Sequence, residues 1–127
     1  MDREVLVKQM RRLERELRRQ HGPVALFMLV PIESWGDAWR LVVSTKDFNR
    51  LGRAESIRQL IDLLRRVVDR EVWSHVPFVE VLRTDDRFVA AMTAWHPTQS
   101  VVDLHALDIQ GFEIPKAVLF TAKKVAA

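Results

Sequence analysis

The chain has no cysteine, no tyrosine, four glycines and five prolines in 127 residues. Without thiols there is no disulfide framework, no thiolate metal site and no cysteine nucleophile, and a reducing cytoplasm is the expected compartment. The glycines do not cluster. Neither G-x-G-x-x-G nor the P-loop pattern occurs, so the usual phosphate cradles are missing. G-x-S-x-G is missing as well, and no H-x-x-x-H pair is formed by the four histidines. No apolar run approaches the length of a bilayer span, and the charged first twenty residues do not resemble a secretory signal, so no membrane partner is expected. There is no internal repeat, low-complexity tract or linker, which predicts one domain over 1–127.

What is present is ordinary for a globular chain: 48% hydrophobic and 29% charged residues, with a net charge of +3. Fifteen of the twenty basic residues are arginine, which favours planar, bidentate pairing with carboxylates or phosphates over simple point charge.

The organising stretch is Val24-Ala25-Leu26-Phe27-Met28-Leu29-Val30, seven apolar residues between Gly22-Pro23 and Pro31. A run this short, with no polar relief on either side, predicts a central strand buried on both faces. Before it, Leu6, Met10, Leu13 and Leu17 make the stripe of an amphipathic helix over 3–20, with Glu4–Lys8 and Glu14–Arg18 as supporting pairs one turn apart. After it come a loop at 31–37 and a strand at 38–45, the two strands forming an antiparallel hairpin. Residues 46–53 are polar and predict a connection. Ile57, Leu60, Ile61, Leu64 and Val68 then mark a second helix over 54–72.

A strand is expected at 78–82, and residues 87–95 fit both periods but lean to helix, with Phe88, Ala91, Met92 and Trp95 on one core-facing side. Strands at 100–109 and 114–122, joined by a Gln110-Gly111 turn, complete the chain. The order predicts an α+β two-layer sandwich, its mostly antiparallel or mixed sheet of about five strands covered by two to three helices.

Candidate chemistry is sparse. Asp103 and His105, two apart on a strand, share a face, so the carboxylate can orient the imidazole for acid–base or metal chemistry. The solvent face of an edge strand is the commoner explanation of such a pair. Glu80 interrupts an apolar strand, where a carboxylate is costly unless paired or wet. It is a candidate base or ligand, or else it faces water or meets an arginine such as Arg40. Arg11, Arg15 and Arg18 form a ridge on the first helix that suits phosphates, but Glu4, Glu14 and Glu16 are interleaved and favour a salt-bridged, solvated face. Trp39 and Trp95 read as core, whereas Trp35 falls in a loop and is the aromatic expected at a contact surface.

Residues 20–82 resemble the opening half of minimal nucleotidyltransferase domains. In that family a helix leads into an apolar strand ending in Phe-Gly-Ser, and a second strand carries two alternating acids for magnesium. A helix and a strand with a third acid follow. Leu26-Phe27 stands where the chain approaches the Gly-Ser position, and Glu80 in Val79-Glu80-Val81 stands at the third acid. Met28-Leu29 replaces Gly-Ser, and Trp39-Arg40-Leu41 occupies the place of the paired acids. A single glutamate cannot hold two metal ions, so the resemblance implies a degenerate, non-catalytic relative.

The favoured expectation is a non-catalytic interaction or scaffold domain acting as a homo-oligomer, joined through the stripe of the first helix or the apolar last strand. No cofactor is expected. The alternatives are nucleic-acid or nucleotide binding on the nucleotidyltransferase-like scaffold, and a small enzyme using Glu80 or Asp103/His105.

Overall fold

The computed structural model describes residues 1–125. Asp2 accepts the Glu4 N–H at 2.7 Å and opens helix α1, Arg3–His21. Leu6, Met10, Leu13 and Leu17 are buried along it, as their spacing predicts. At its end Gly22 donates its N–H to the Arg18 carbonyl (2.9 Å) and turns the chain into strand β1, Val24–Pro31.

Strand β1 is the middle of a five-stranded sheet with the order β3-β2-β1-β5-β4. It pairs antiparallel with β2 (Trp39–Thr45) on one side and with β5 (Phe112–Ala122) on the other. Strand β4 (Val102–Ile109) forms the edge beyond β5, and β3 (Phe78–Val81) runs parallel to β2 at the opposite edge.

Phe27, Leu29, Leu41, Val43, Val118 and Phe120 project from one face of the sheet. They meet α1 together with Leu60, Leu63 and Leu64 of α3 (Arg53–Val67). Each such side chain fully removed from water contributes roughly 1.5–3 kcal/mol before entropy is counted, which is why Val24–Leu29 tolerates no polar residue. From the other face Leu26, Met28 and Leu119 meet Val89 and Met92 of α5, Arg87–Trp95. The expected sandwich is therefore present, with α5 adding partial cover to its second face.

Among the described residues there are five α-helices, and a short 3-10 turn at Glu33–Trp35, rather than two or three helices. The stretch expected as a connection holds α2 (Lys46–Leu51), which Thr45 starts by accepting the Phe48 N–H at 3.0 Å. Gly52, at a φ of 85°, separates it from α3. The helix expected over 54–72 breaks at Val68, whose backbone is extended, and α4 (Arg70–Trp73) resumes after Asp69. Gln9 of α1 fixes that break: its amide donates to the Asp69 carboxylate (3.1 Å) and accepts the Asp69 N–H (3.2 Å). Residues 87–95 are helical, but Trp95 is 75% exposed rather than core, because α5 ends there and its last turn overhangs the sheet.

Of the two features expected to seam two copies together, the α1 stripe lies against the sheet, and β5 pairs with β4 over residues 112–119 and with β1 over residues 118–122. Among the described residues no helix is long and apolar enough to cross a membrane.

Candidate functional site

Helix α5 leaves part of the second sheet face uncovered, and there the strands floor a groove of about 550 Å³. Val30, Val42 and Leu82 supply its apolar floor. One wall is the β4–β5 hairpin, whose two-residue turn has both Gln110 (φ 53°) and Gly111 (φ 84°) in the left-handed region that a tight, twisted hairpin requires. The turn lifts Phe112 against Phe88 of α5 in an edge-to-face contact, with ring centroids 5.8 Å apart.

The groove is also charged. Glu80, Asp86 and Glu113 line it with Arg40 as the one cation, giving three carboxylates against one guanidinium. Asp86 is held in place by capping α5, where it accepts the Phe88 N–H at 2.8 Å. Neither Arg40 nor Glu80 is in an ion pair among the described residues.

Parallel pairing sets Arg40 opposite Phe78 and Val42 opposite Glu80. The Arg40 guanidinium accordingly stands over the Phe78 ring, 6.0 Å from its centroid. Trp35 packs on the same Phe78 ring at 5.2 Å. Trp35 is 56% and Phe78 42% exposed, so this aromatic pair is a surface feature, joined to the groove through Arg40 and not part of either core.

Of the residues singled out from the sequence, Glu80 and Trp35 thus come together around Arg40 and Phe78. Asp103 and His105 do not join them. Asp103 is exposed and accepts a hydrogen bond from Arg3 at 2.6 Å, while His105 is exposed opposite Lys116, and neither lines any of the five concavities described. Ala106, at a φ of 52°, interrupts the β4 ladder directly after His105.

Arg11 and Arg15 are exposed on α1, as a solvated face predicts. Arg18 is drawn elsewhere, and so is Glu14. Glu14 belongs to the buried side of α1, accepts from the Thr121 hydroxyl at 2.5 Å and pairs with Arg18 at 3.3 Å, while Arg18 also donates to the Thr121 hydroxyl oxygen at 3.0 Å. Glu14 thus leaves the wet face expected of it, because its carboxylate is seated by Thr121, a strand residue 107 positions away.

A second pair escaped the sequence altogether. His21 Nδ1 lies 2.6 Å from Asp47 Oδ2, and its ring packs on Phe48 with centroids 4.8 Å apart. The His21 hydrogen bond, and after it that of Arg50, hold the Asp47 carboxyl below the usual aspartate range. On the exposed faces, hydrogen bonds from Arg19 and Arg58 lower Glu16 and Glu55 to about 2.

Chemically, the groove supplies charge and apolar surface. No histidine, serine, threonine or lysine lines it, so it brings together no hydroxyl or amine nucleophile with an imidazole base; its titratable groups besides Arg40 are the three carboxylates. Among the described residues no three His, Asp or Glu side chains stand close enough to hold a metal ion. Val42 of β2 stands opposite Glu80, and no residue of Trp39–Thr45 is an acid. No family model, curated protein or solved structure matches the chain.

Proposed function

We propose that the protein is a non-catalytic interaction module, working in the cytoplasm, whose binding surface is the groove with the Trp35–Phe78 pair joined to it through Arg40. The observation that supports this is the adjacency of two things. One is an exposed aromatic pair crossed by a guanidinium; the other is an apolar groove in which carboxylates outnumber cations by three to one. Aromatic and arginine side chains grouped at a surface concavity are the usual anchors of a protein contact. The charge selects the occupant: a peptide segment of a partner protein that presents lysine or arginine among apolar side chains. Its cation meets Glu80 and Glu113, and its apolar neighbours cover Val42, Leu82 and Phe112.

The test is an amide-shift titration of the labelled chain with a short peptide alternating leucine and arginine, and with its counterpart carrying glutamate for arginine. The arginine peptide is expected to shift Val30, Arg40, Glu80, Leu82 and Phe112, with affinity falling about tenfold in Glu80→Gln and in Phe78→Ala. Equal binding of both peptides, or binding indifferent to both substitutions, overturns the proposal. Light scattering on the same samples distinguishes this from self-association: a stable dimer that masks the same amides assigns the surface to a second copy instead.

A further inference from the structure

The few lysines are not scattered. Of the five in the chain, Lys46, Lys123 and Lys124 line one hollow of about 480 Å³ on the other side of α5. Topology brings them together. Strand β1 pairs antiparallel with both β2 and β5, so the ends of those strands emerge side by side where β1 begins, with Val24 opposite Thr45 and Leu26 opposite Ala122. Lys46 opens α2 directly after Thr45. Lys123 follows Ala122 and is tied down by its N–H to the Ala25 carbonyl, at 2.9 Å.

Among the described residues these ammonium groups have no ion-pair partner. All nine ion pairs among the described residues use arginine, histidine or the N-terminus, and none uses a lysine. The acids nearby are already engaged. Asp47 is taken by His21 and Arg50, and Asp85, the carboxylate lining the hollow, is taken by Arg83 at 3.0 Å.

Neutral donors complete the lining. Asn49 donates to the Thr84 hydroxyl oxygen (2.7 Å) and accepts the Thr84 N–H (3.1 Å), a reciprocal clasp that fixes both side chains. It leaves the Thr84 O–H proton and the second Asn49 N–H without an acceptor among the described residues. Val89, Ala90 and Ala94 of α5 form an apolar side to the same hollow.

Three mobile point charges, two fixed neutral donors and an apolar wall fit an anion rich in oxygen that carries an organic body. We infer that this hollow binds a small organic phosphate with two or more phosphoryl groups, independently of the groove across α5. Lysine suits phosphate as a point charge, and the hollow is of the size that accepts small ligands. No aromatic side chain lines it for bases to stack on, which favours the small phosphate over single-stranded nucleic acid.

The experiment titrates the full chain at low salt with ATP, pyrophosphate, inorganic phosphate and a single-stranded oligonucleotide, reading amide shifts. ATP and pyrophosphate are expected to move Lys46, Asn49, Thr84, Lys123 and Lys124 and to bind more tightly than inorganic phosphate. Lys46→Gln with Lys123→Gln should weaken ATP by about tenfold or more, and the exposed positions leave the unfolding midpoint unchanged. No saturable shift, or shifts untouched by the lysine substitutions, overturns the inference. So does an oligonucleotide that binds more tightly than ATP with shifts running on to Arg18 and Arg15, which makes the surface a track for a nucleic-acid backbone.

Discussion

Thr121→Val probes the least expected contact in the fold. Glu14 is 4% exposed and its carboxylate takes the Thr121 hydroxyl at 2.5 Å, so valine keeps the shape and removes the donor. A hydrogen bond to a charged, buried acceptor is worth about 1.5–3 kcal/mol. Arg18 recovers part of this, but it stands 3.3 Å away with its side chain 40% exposed, and water weakens its hold. The net cost is therefore about 2 kcal/mol, a shift of the unfolding temperature by roughly 3–6 °C per kcal/mol in a chain of this size.

Urea unfolding at pH 7 measures it, with Thr121→Ser as the control that restores the donor. In a Glu14→Gln background the same change should cost about 1 kcal/mol, because the acceptor is then neutral and the lost bond is an ordinary one. A Thr121→Val protein within about 0.5 kcal/mol of the parent would refute the buried carboxylate–hydroxyl contact.

Three further outcomes follow from local geometry. Asp47 titrates lower folded than unfolded, so its contribution is fully present above the ordinary aspartate value and is lost as pH falls through the folded one; the urea midpoint should decline from about pH 4 downward, and less steeply in Asp47→Asn. The Ser44 hydroxyl is buried with no hydrogen-bond partner among the described residues, so Ser44→Ala should leave stability unchanged or raise it by about 1 kcal/mol, read in the same titration. Gln110 holds a φ of 53° in the β4–β5 turn, where asparagine is more at ease, so Gln110→Asn should stabilise by about 0.5–1 kcal/mol while Gly111→Ala, at a φ of 84°, destabilises.

The elements that carry strong periodicity were legible in the sequence. The α1 stripe and the Gln110-Gly111 turn are settled at short range, while the apolar run of β1 reads as a strand through its short length and its flanking Gly22-Pro23 and Pro31, since its pattern alone also fits a buried helical segment. Helix α2 was hidden because a single buried residue, Phe48, anchors six residues, too few to show a period. Its signal was the cap: Thr45 followed by Asp47 in the first turn. The break at Val68 was invisible because Gln9, sixty residues earlier, makes it.

The site follows the same division. Glu80 and Trp35 stood out because each violates its surroundings, one a charge in an apolar strand, the other an aromatic in a loop. Arg40 was named as a partner for Glu80, with which it forms no ion pair among the described residues, and Phe78 and Phe112 did not stand out, since the grouping depends on β3 running parallel to β2 and on a hairpin folding over the sheet. Asp103 and His105 show the converse. Proximity in sequence suggested a pair, but the chain places both at an outer edge where Arg3 satisfies the carboxylate.

Every placement above depends on β1 lying inside the sheet, bonded on both sides and covered on both faces. Native-state hydrogen exchange of residues 26–29, followed against low concentrations of urea, tests this directly. The account predicts that these amides exchange only through global unfolding, with the steepest urea dependence in the protein, while amides of the edge strands β3 and β4 open locally. Exchange at 26–29 as fast and as insensitive to urea as that at the edges would contradict it.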